Sequence, residues 1–456
     1  MTTDVRESAL EPRSATAFDT IATAAGPTAA EIAAPMIDAV FQGPPRLQLV
    51  FWDGSTIGPH DGPGQLVLNT PDALRRIMWA PGELGFARAY ISGDLDFVGP
   101  IGEVLRAFQA SLPTESDQDP TASEIRNGLV AGPKAVAALR SLGALGKPLP
   151  PPREEIVPRG RRHSIRRDKV AVSHHYDVGN EFYSLVLGPS MTYSCARFAD
   201  RGMSLEDAQA AKHELICRKL GLRDRPSARL LDVGCGWGSM AIHAATNHGA
   251  RVVGVTISNE QAAEARRRVE AAGVSDRVEI RIQDYRRVAD GPFDAISSVG
   301  MAEHVGERKM DDYFGILRSL LRPGGRMLNH AISTVGGSRL RRRGFVYRYV
   351  FPDGELLDVG NTVLSMERAG FEVRDVESLR EHYAATLREW VANLERNWDE
   401  AVELVGEGRA RVWLLYMSGS VNNFDDNNIA VHQVLGVVPE TNGASHMPPT
   451  RAGWDA

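Results

Sequence analysis

The sequence predicts an α/β fold in which a mostly parallel sheet carries helices on both faces, preceded by a small α+β domain. Three observations indicate this fold. Between residues 170 and 440, apolar strand-like runs alternate with helical segments, a pattern typical of parallel sheets. One of these runs, Arg229–Val233, leads into a glycine-rich turn that opens a helix. Upstream, residues 31–115 hold short alternating runs beside isolated helical segments.

The upstream elements are predicted from alternation and turn residues. Arg46–Trp52 alternates and ends at the turn Asp53-Gly54, and Gln65–Leu68 is a second strand-like run. Asp72–Trp79 is predicted to be a helix. No catalytic combination of residues stands out in this region, so the chemistry is expected further along the chain.

In the second half of the chain, capping residues mark where helices begin. Ser204 and Asp207 form a capping box for a helix that ends at Gly221, and Ser258 with Gln261 caps a later helix. The strands predicted around them, besides the first one, are Arg251–Ile257, Val278–Ile282, Phe293–Ser298 and Arg326–Ile332. The turn Pro323-Gly324-Gly325 precedes the last of these strands.

Composition limits the class of protein. The 456 residues are enough for two or three domains. A net charge of −6 argues against a nucleic-acid-binding chain. The three cysteines include no CxxC pair, so we expect a reducing cytosol, no disulfide framework and no metal site. No apolar run reaches the roughly 20 residues that span a bilayer, and the N-terminus lacks the features of a secretory signal.

The chain divides by composition into five segments. They are a disordered N-terminus at 1–30, the small α+β domain at 31–115, a linker at 116–169 with a basic tract, the α/β domain at 170–440 with an insertion at about 333–425, and a flexible C-terminus at 441–456.

The glycine-rich turn indicates a cofactor site. Gly234, Gly236 and Gly238 follow the strand that contains Asp232, so backbone can approach a ligand at the carboxyl end of a parallel strand. This spacing is the form seen in S-adenosylmethionine enzymes, whereas a dinucleotide site would read GxGxxG followed by an acidic residue. The alternative is a turn that serves helix packing alone.

The next two strands supply the expected polar partners of that cofactor. The second strand usually ends in an acidic residue for the ribose hydroxyls, but this chain has Thr256-Ile257 there, so Thr256 and Gln261 are expected to replace it. Asp284 and Tyr285 follow the third strand, where they are placed to meet the adenine amine and ring.

Three further motifs identify a family. They are HYDVGNEFY at 175–183 followed by MTYSCA at 191–196, SVGMAEHVG at 298–306, and HYAATLREW at 382–390. Together with Gly254-Val255-Thr256-Ile257-Ser258, they resemble the cyclopropane-fatty-acyl-phospholipid synthase family. That family includes mycolic acid cyclopropane synthases and methylene-fatty-acyl synthases. The resemblance runs from about His174 to Gln433, and residues 40–115 resemble the extra domain of the long, phospholipid-acting members.

The resemblance implies a Rossmann-like class I S-adenosylmethionine-dependent methyltransferase domain with a lipid-binding insertion. It also assigns residues to two sites. The matched cofactor residues are Tyr176, Tyr193, Ser194, Gly234, Gly236, Thr256, Gln261 and Asp284. The matched residues of a pocket for bicarbonate, the second expected cofactor, are Cys195, Val299 through its backbone, Glu303, His330 and Tyr383. Cys195 is expected there as a buried structural thiol rather than as a nucleophile.

The implied reaction transfers the methyl group of S-adenosylmethionine to the cis double bond of an unsaturated phospholipid acyl chain. The resulting carbocation loses a proton to bicarbonate, with Glu303 assisting. The product is a cyclopropane or a methylene branch, and a partner reductase would act on the second. Two other functions stay open: methylation of a small apolar metabolite, and non-catalytic lipid binding. The oligomeric state is also open, with a homodimer as one outcome.

Two basic segments predict where the enzyme meets its substrate. The tract Arg159–Lys169 precedes the first motif. A second cluster interleaves basic and aromatic residues, namely Arg339, Arg341, Arg342, Arg343, Phe345, Tyr347, Arg348 and Tyr349. Clusters of four or more basic residues are attracted to anionic lipid. We therefore expect a cytoplasmic enzyme bound peripherally to the inner face of the membrane.

Overall fold

The computed structural model describes residues 26–41, 43–112, 133–156, 178–200, 202–337 and 344–452. Its first part contains helices α1 to α4 and a four-stranded sheet. The helices are Ala29–Val40, Asp72–Trp79, Glu83–Ile91 and Ile101–Gln109, and strands β1 to β4 are Gln48–Val50, Thr56–Ile57, Gln65–Leu68 and Leu95–Val98. The sheet order is β2-β1-β3-β4, with β1 parallel to β3 and the other pairs antiparallel.

The elements predicted for this small α+β domain agree with the structure. Asp72–Trp79 and Gln65–Leu68 have the predicted bounds. At the start, the Thr28 side chain accepts a hydrogen bond from the Glu31 N–H at 3.2 Å, and Glu31 caps the Thr28 N–H in return. Helix α1 therefore begins before residue 30, the predicted end of the disordered segment. Helix α5, Pro133–Ser141, lies within the predicted linker and packs on α1.

The second part is an eight-stranded sheet with helices on both faces, as predicted. Strands β5 to β12 are Arg229–Val233, Arg251–Thr256, Val278–Ile282, Phe293–Val299, Leu321–Thr334, Leu357–Asp358, Glu372–Ser378 and Ile429–Val437. Their order is β11-β12-β9-β8-β5-β6-β7, with β10 beside β9. The neighbouring strands β9, β8, β5, β6 and β7 are all parallel, whereas β12 is antiparallel to both of its neighbours, β11 and β9.

Each face of this sheet has its own apolar core, because successive strand residues point to opposite sides. Leu230 packs with Met240 and Ala265 on one face, whereas Leu231 packs with Phe314 and Met366 on the other. The helices α6 to α12 are Asn180–Leu187, Leu205–Leu220, Ser239–His248, Asn259–Ala271, Met310–Ser319, Phe345–Tyr349 and Val359–Arg368. The predicted caps of α7 and α9 form, since Ser204 accepts from Asp207 N–H and Ser258 accepts from Gln261 N–H.

The segment 333–425, predicted as one insertion, contributes to two parts of the fold. Strands β10 and β11 and helix α12 belong to the main sheet and its cover. Helices α13 to α15, which are Arg380–Arg396, Trp398–Val405 and Glu407–Asp425, are inserted between β11 and β12. Helix α15 packs against α3 and α4, so the inserted helices join the small domain to the α/β domain.

Polar contacts reinforce this junction. The Asn422 side chain donates a hydrogen bond to the Gly102 carbonyl at 2.9 Å. Arg411 forms an ion pair with Asp96 at 3.0 Å, and its guanidinium lies over the Tyr90 ring. Among the described helices, none combines the length and apolar character required to cross a membrane.

The described part of the second basic cluster does not face outward. Phe345 and Tyr349 are buried, at 4% and 1% exposure, so these two aromatics cannot sit at a lipid headgroup boundary. Arg348 and the Tyr349 hydroxyl both bind Glu155, at 3.7 and 3.0 Å. The prediction that Phe345 and Tyr349 contact lipid is therefore wrong, and for the half-buried Tyr347 and Arg348 it stays a prediction. The other basic residues of both segments, Arg159–Lys169 and Arg339–Arg343, lie outside the described residues.

Candidate active site

A cavity of about 640 Å³ opens where β5, β6 and β8 end, at the carboxyl edge of the parallel strands. Open α/β sheets bind ligands at this edge. Eleven residues predicted from the sequence line the cavity: Tyr193, Ser194, Asp232, Gly234, Gly236, Thr256, Ile257, Gln261, Asp284, Tyr285 and Val299. Tyr176, the other predicted cofactor residue in the first motif, lies outside the described residues.

The glycines of the turn have two different roles: some leave room for a ligand, and one allows a helix to pack closely. Gly234 and Gly236 have φ of 72° and 54°, a region that glycine adopts without strain. A Cβ at Gly236 would meet no atom within 4 Å, which leaves room for a ligand beside the backbone. Gly238 does not line the cavity, contrary to its predicted role. Its φ is 83°, and a Cβ there would lie 3.3 Å from the Ala265 Cβ, so this glycine lets α9 pack closely.

Thr256 and Gln261 form a neutral polar pair at the end of β6. The Thr256 hydroxyl donates a hydrogen bond to Gln261 Oε1 at 2.9 Å and accepts one from the Ser258 N–H at 3.2 Å. Both side chains are buried at the cavity wall. With its oxygen occupied by Thr256, the Gln261 amide has its N–H groups to offer to a ligand hydroxyl.

Asp284 lines the cavity with part of its hydrogen-bonding capacity already used. Its Oδ1 accepts the Arg286 N–H at 2.9 Å, and the Arg286 guanidinium binds both carboxylate oxygens. Although burial acts in the opposite direction, these hydrogen bonds lower the pKa of Asp284. The carboxylate is therefore charged at neutral pH. Tyr285 beside it packs edge-on against Tyr313, at 5.0 Å between ring centres.

A buried lysine stands at the cavity beside two of the predicted residues. Lys212 Nζ donates a hydrogen bond to Ser194 Oγ at 2.8 Å, and burial lowers the pKa of this lysine to about 7. Asp232 accepts from Ser297 Oγ at 2.7 Å, and burial raises its pKa to about 6. Sequence reasoning missed Lys212, although a charged residue within the buried face of an amphipathic helix was a usable signal.

Val299, Glu303 and His330 come from β8, from the 3-10 helix that follows it, and from the neighbouring strand β9. Val299 is the register partner of His330, and Glu303 follows in a 3-10 helix at Ala302–His304. Glu303 Oε1 accepts the Ile332 N–H at 2.8 Å. The Glu303 Oε2 and His330 Nε2 atoms are buried, and neither has a hydrogen-bond partner among the described residues. Burial raises the pKa of Glu303 to about 7 and lowers the pKa of His330.

Cys195 and Tyr383 form a second group at the start of α13. The Cys195 thiol contacts the carbonyls of Ala196 and Leu379, at 3.1 and 3.6 Å, and burial raises the pKa of the thiol well above its usual value. A thiol held in this form is a poor nucleophile. Tyr383 lies one turn after Leu379, and the centre of its ring is 4.7 Å from the centre of the Phe424 ring. Of the residues predicted for the bicarbonate pocket, only Val299 lines the cofactor cavity, and Cys195, Glu303, His330 and Tyr383 do not.

Aromatic rings connect Tyr383 to Tyr193 at the cavity wall. The sequence did not predict that these rings form a cluster. Tyr193 lies 5.3 Å from Trp390, which lies 6.0 Å from Tyr383. On the other side, the Tyr416 ring lies 6.0 Å from the Trp413 ring, which lies 5.8 Å from Tyr193. The aromatic cluster, defined as Tyr183, Tyr193, Trp237, Trp390, Trp413 and Tyr416, is linked by centroid distances of 4.8 to 6.0 Å. It lies beside the cavity, which Tyr193 and Trp237 line.

Known proteins are similar to this chain in sequence and in architecture. The sequence model of the mycolic acid cyclopropane synthetase family matches residues 163–434. The probable fatty acid methyltransferase Rv3720 of Mycobacterium tuberculosis is 44% identical over 417 residues, covering 90% of this chain and 94% of that protein. The cyclopropane-fatty-acyl-phospholipid synthase of Escherichia coli is 38% identical over 274 residues, covering 60% of this chain and 69% of that protein.

A solved structure supports the fold and the cofactor. Mycolic acid cyclopropane synthase CmaA1, complexed with SAH and CTAB, matches with a TM-score of 0.55 at 33% identity, covering 59% of this chain and 97% of that one. The family match spans more than half of the chain and includes the cavity-lining strands and the glycine turn. The chain therefore belongs to the mycolic acid cyclopropane synthetase family and is an S-adenosylmethionine-dependent methyltransferase.

Proposed function

We propose that this enzyme transfers the methyl group of S-adenosylmethionine to the cis double bond of an unsaturated fatty acyl chain of a phospholipid. The names of its relatives, a fatty acid methyltransferase and a cyclopropane-fatty-acyl-phospholipid synthase, support this substrate class. The observation that carries the proposal is the aromatic cluster beside the cofactor cavity, together with a buried carboxylate, Glu303, whose Oε2 atom has no partner among the described residues.

The reaction requires a site of this composition. The π electrons of the alkene form a bond to the methyl carbon, and the carbon–sulfur bond breaks to leave S-adenosylhomocysteine and an acyl carbocation. A good nucleophile nearby would trap this cation. Aromatic faces stabilise positive charge without bonding to it, and the cluster around Tyr193 supplies such faces beside the cavity.

The cation must then lose a proton to a base. The pKa of Glu303 is raised to about 7 by burial, which suits a general base at neutral pH. If the cation stays on the carbon next to the methylated one, loss of a proton from the new methyl group closes a cyclopropane ring. If a 1,2-hydride shift first moves the cation to the methylated carbon, loss of a proton from the same methyl group leaves a methylene branch. The residues around Glu303 are compatible with both products.

The residues present fit a small bound anion such as bicarbonate. Glu303 Oε2 and His330 Nε2 are buried polar atoms without partners among the described residues, and such atoms normally have a protein or solvent partner. Bicarbonate would supply a mobile base. Glu303 and His330 would hold it, and the proposal extends this role to Tyr383, Cys195 and the Val299 backbone. Glu303 would then accept or orient the proton at Oε2.

We also propose that the enzyme works at the membrane surface. A mid-chain double bond lies deep in a bilayer, so the acyl chain must be drawn into the protein from the membrane surface. The segments Arg159–Lys169 and Arg339–Arg343 are the basic residues that we propose for peripheral docking on the inner face of the membrane. A reductase partner is part of the proposal only for a methylene product.

The test uses the full chain, methyl-labelled S-adenosylmethionine and vesicles of mono-unsaturated phosphatidylglycerol. Label should enter the acyl chain, and mass spectrometry with proton NMR should distinguish a ring from an exomethylene group. Vesicles of fully saturated lipid should accept no label, and neutral vesicles or high salt should slow the reaction by weakening docking. Label transfer to saturated vesicles, or none to the unsaturated ones, would overturn the substrate assignment.

The role of Glu303 is tested in the same assay. Glu303→Gln should lower turnover by about 10²-fold or more, on the scale of a lost general base, while binding of the methyl donor persists. The exposed Glu270→Gln on α9 is the matched control and should behave as the wild type. The single-turnover rate of the wild type should rise with pH through about 7, as Glu303 loses its proton. Near-normal turnover of the Gln variant would remove Glu303 from the mechanism.

A further inference from the structure

Four side chains outside the active site converge between helices α7 and α8. Glu214 and Cys217 lie one turn apart on α7, whereas His243 lies in the middle of α8 and His248 at its last residue. The Cys217 sulfur and one ring nitrogen from each histidine all lie within 4.8 Å of one another. Glu214 Oε2 lies 3.3 Å from His243 Nε2 and 2.8 Å from His248 Nε2.

The donor set is one that zinc prefers. A thiolate and two imidazoles supply three ligands of a tetrahedral Zn²⁺ site, and Glu214 Oε2, beside both rings, would supply the fourth. Bond lengths of about 2.0 to 2.3 Å place the donor atoms of such a site about 3.3 to 3.8 Å apart. The Cys217 sulfur and the two ring nitrogens lie within 4.8 Å of one another, so side-chain adjustments would have to draw the four donors around an ion.

The surroundings favour binding of a metal at this position. Cys217 is fully buried, whereas the side chains of His243, His248 and Glu214 are 14%, 6% and 29% exposed, which leaves an entry path on the histidine side. The second ring nitrogen of His243 contacts the Asn247 side chain at 3.2 Å. An outer contact of this type fixes the orientation of a metal-binding imidazole.

The hydrogen bonds of Glu214 leave one of its oxygens directed at the two imidazoles. Arg218 donates a hydrogen bond to Glu214 Oε1 at 2.7 Å, whereas Oε2 lies beside His243 and His248.

We propose that Glu214, Cys217, His243 and His248 form a zinc site that fixes α7 to α8. The site is structural rather than catalytic, and its existence does not depend on the proposed acyl substrate. Its position matters for the cofactor cavity, because α7 carries Lys212 and His213 at the cavity wall and α8 begins there with Ser239 and Met240. The metal would fix the spacing between the two helices that bear this wall.

The test is a cobalt titration of the full chain after removal of metals with a chelator. One Co²⁺ should bind per chain with a thiolate-to-cobalt charge-transfer band and the strong visible bands of a tetrahedral site, and Zn²⁺ should displace it. Cys217→Ser should abolish the charge-transfer band. His248→Asn should weaken binding by more than the roughly 10- to 100-fold that loss of an outer-shell partner costs.

The matched control is His446→Asn, which breaks an exposed histidine–carboxylate pair with Glu440 that has no cysteine beside it. It should titrate as the wild type does. Absence of the charge-transfer band in the wild type, or the same band in Cys217→Ser, would overturn the site. If Cys217→Ser does not fold, the melting temperature of the wild type decides: Zn²⁺ must raise it, and it must do so less in His248→Asn.

Discussion

Replacing Gln261 with alanine tests how this chain binds a ribose without an acidic residue. Gln261 and Thr256 are only 6% and 5% exposed, and they are joined by a hydrogen bond of 2.9 Å at the cavity wall. The Ala variant removes the amide that would donate to a ribose hydroxyl, and it also deprives the Thr256 hydroxyl of its acceptor. The Thr256 hydrogen bond is present without ligand, so its loss affects stability; the loss of one or two hydrogen bonds to the ribose corresponds to about 1–2 kcal/mol, or about a 5- to 30-fold increase in Kd.

The assay is calorimetric titration with S-adenosylmethionine and, separately, with S-adenosylhomocysteine. Both ligands carry the ribose, so both should lose the same affinity. Gln261→Glu should retain binding, because a carboxylate still accepts from Thr256 and from ribose hydroxyls. Gln109→Ala, on an exposed position of α4, is the control for an unrelated glutamine. An unchanged Kd for Gln261→Ala would refute the neutral-pair hypothesis for this cofactor site.

Two further predictions concern the cavity wall. Lys212 has a folded-state pKa of about 7, below that of an unfolded chain, so the unfolded state binds more protons and stability should rise as the pH increases above 7. Lys212→Met should remove up to about 1.4 kcal/mol per pH unit of this rise in the free energy of unfolding, measured by urea unfolding at several pH values. An unchanged dependence of this free energy on pH would contradict the lowered pKa of Lys212. Gly236→Ala should weaken binding of S-adenosylhomocysteine, because its methyl group projects into open space beside the cavity. Both variants carry the strain of a positive φ, but Gly238→Ala should lower the melting temperature more, since its Cβ also meets Ala265; loss of binding without loss of stability in Gly238→Ala would reverse these roles.

The sequence by itself determined the fold class, most of the elements and the family. Strand–helix alternation is a local property of the chain, and it predicted the parallel sheet, the helix Asp72–Trp79 and the strand Gln65–Leu68. The glycine turn and the Thr256–Gln261 pair were also predictable, because both occupy fixed positions after a strand. Sequence could not separate Gly236 from Gly238, since the difference lies in whether α9 or open space faces each glycine.

Only the tertiary structure decided which side chains share an environment. The aromatic cluster collects residues from α6, α13 and α15 and from loops far apart in sequence, so no spacing rule could have found it. Glu303 Oε2 and His330 Nε2 have no hydrogen-bond partner within the described part of the chain, and Phe345 and Tyr349 are buried in a cluster predicted to contact lipid. Both findings depend on which segments pack over these residues. The proximity of Cys217, His243 and His248 also depends on the packing of two helices, and no CxxC pattern in the sequence predicts it. Burial and proximity set the pKa values and ligand geometry on which chemistry depends, and these are properties of the packed chain rather than of its local sequence.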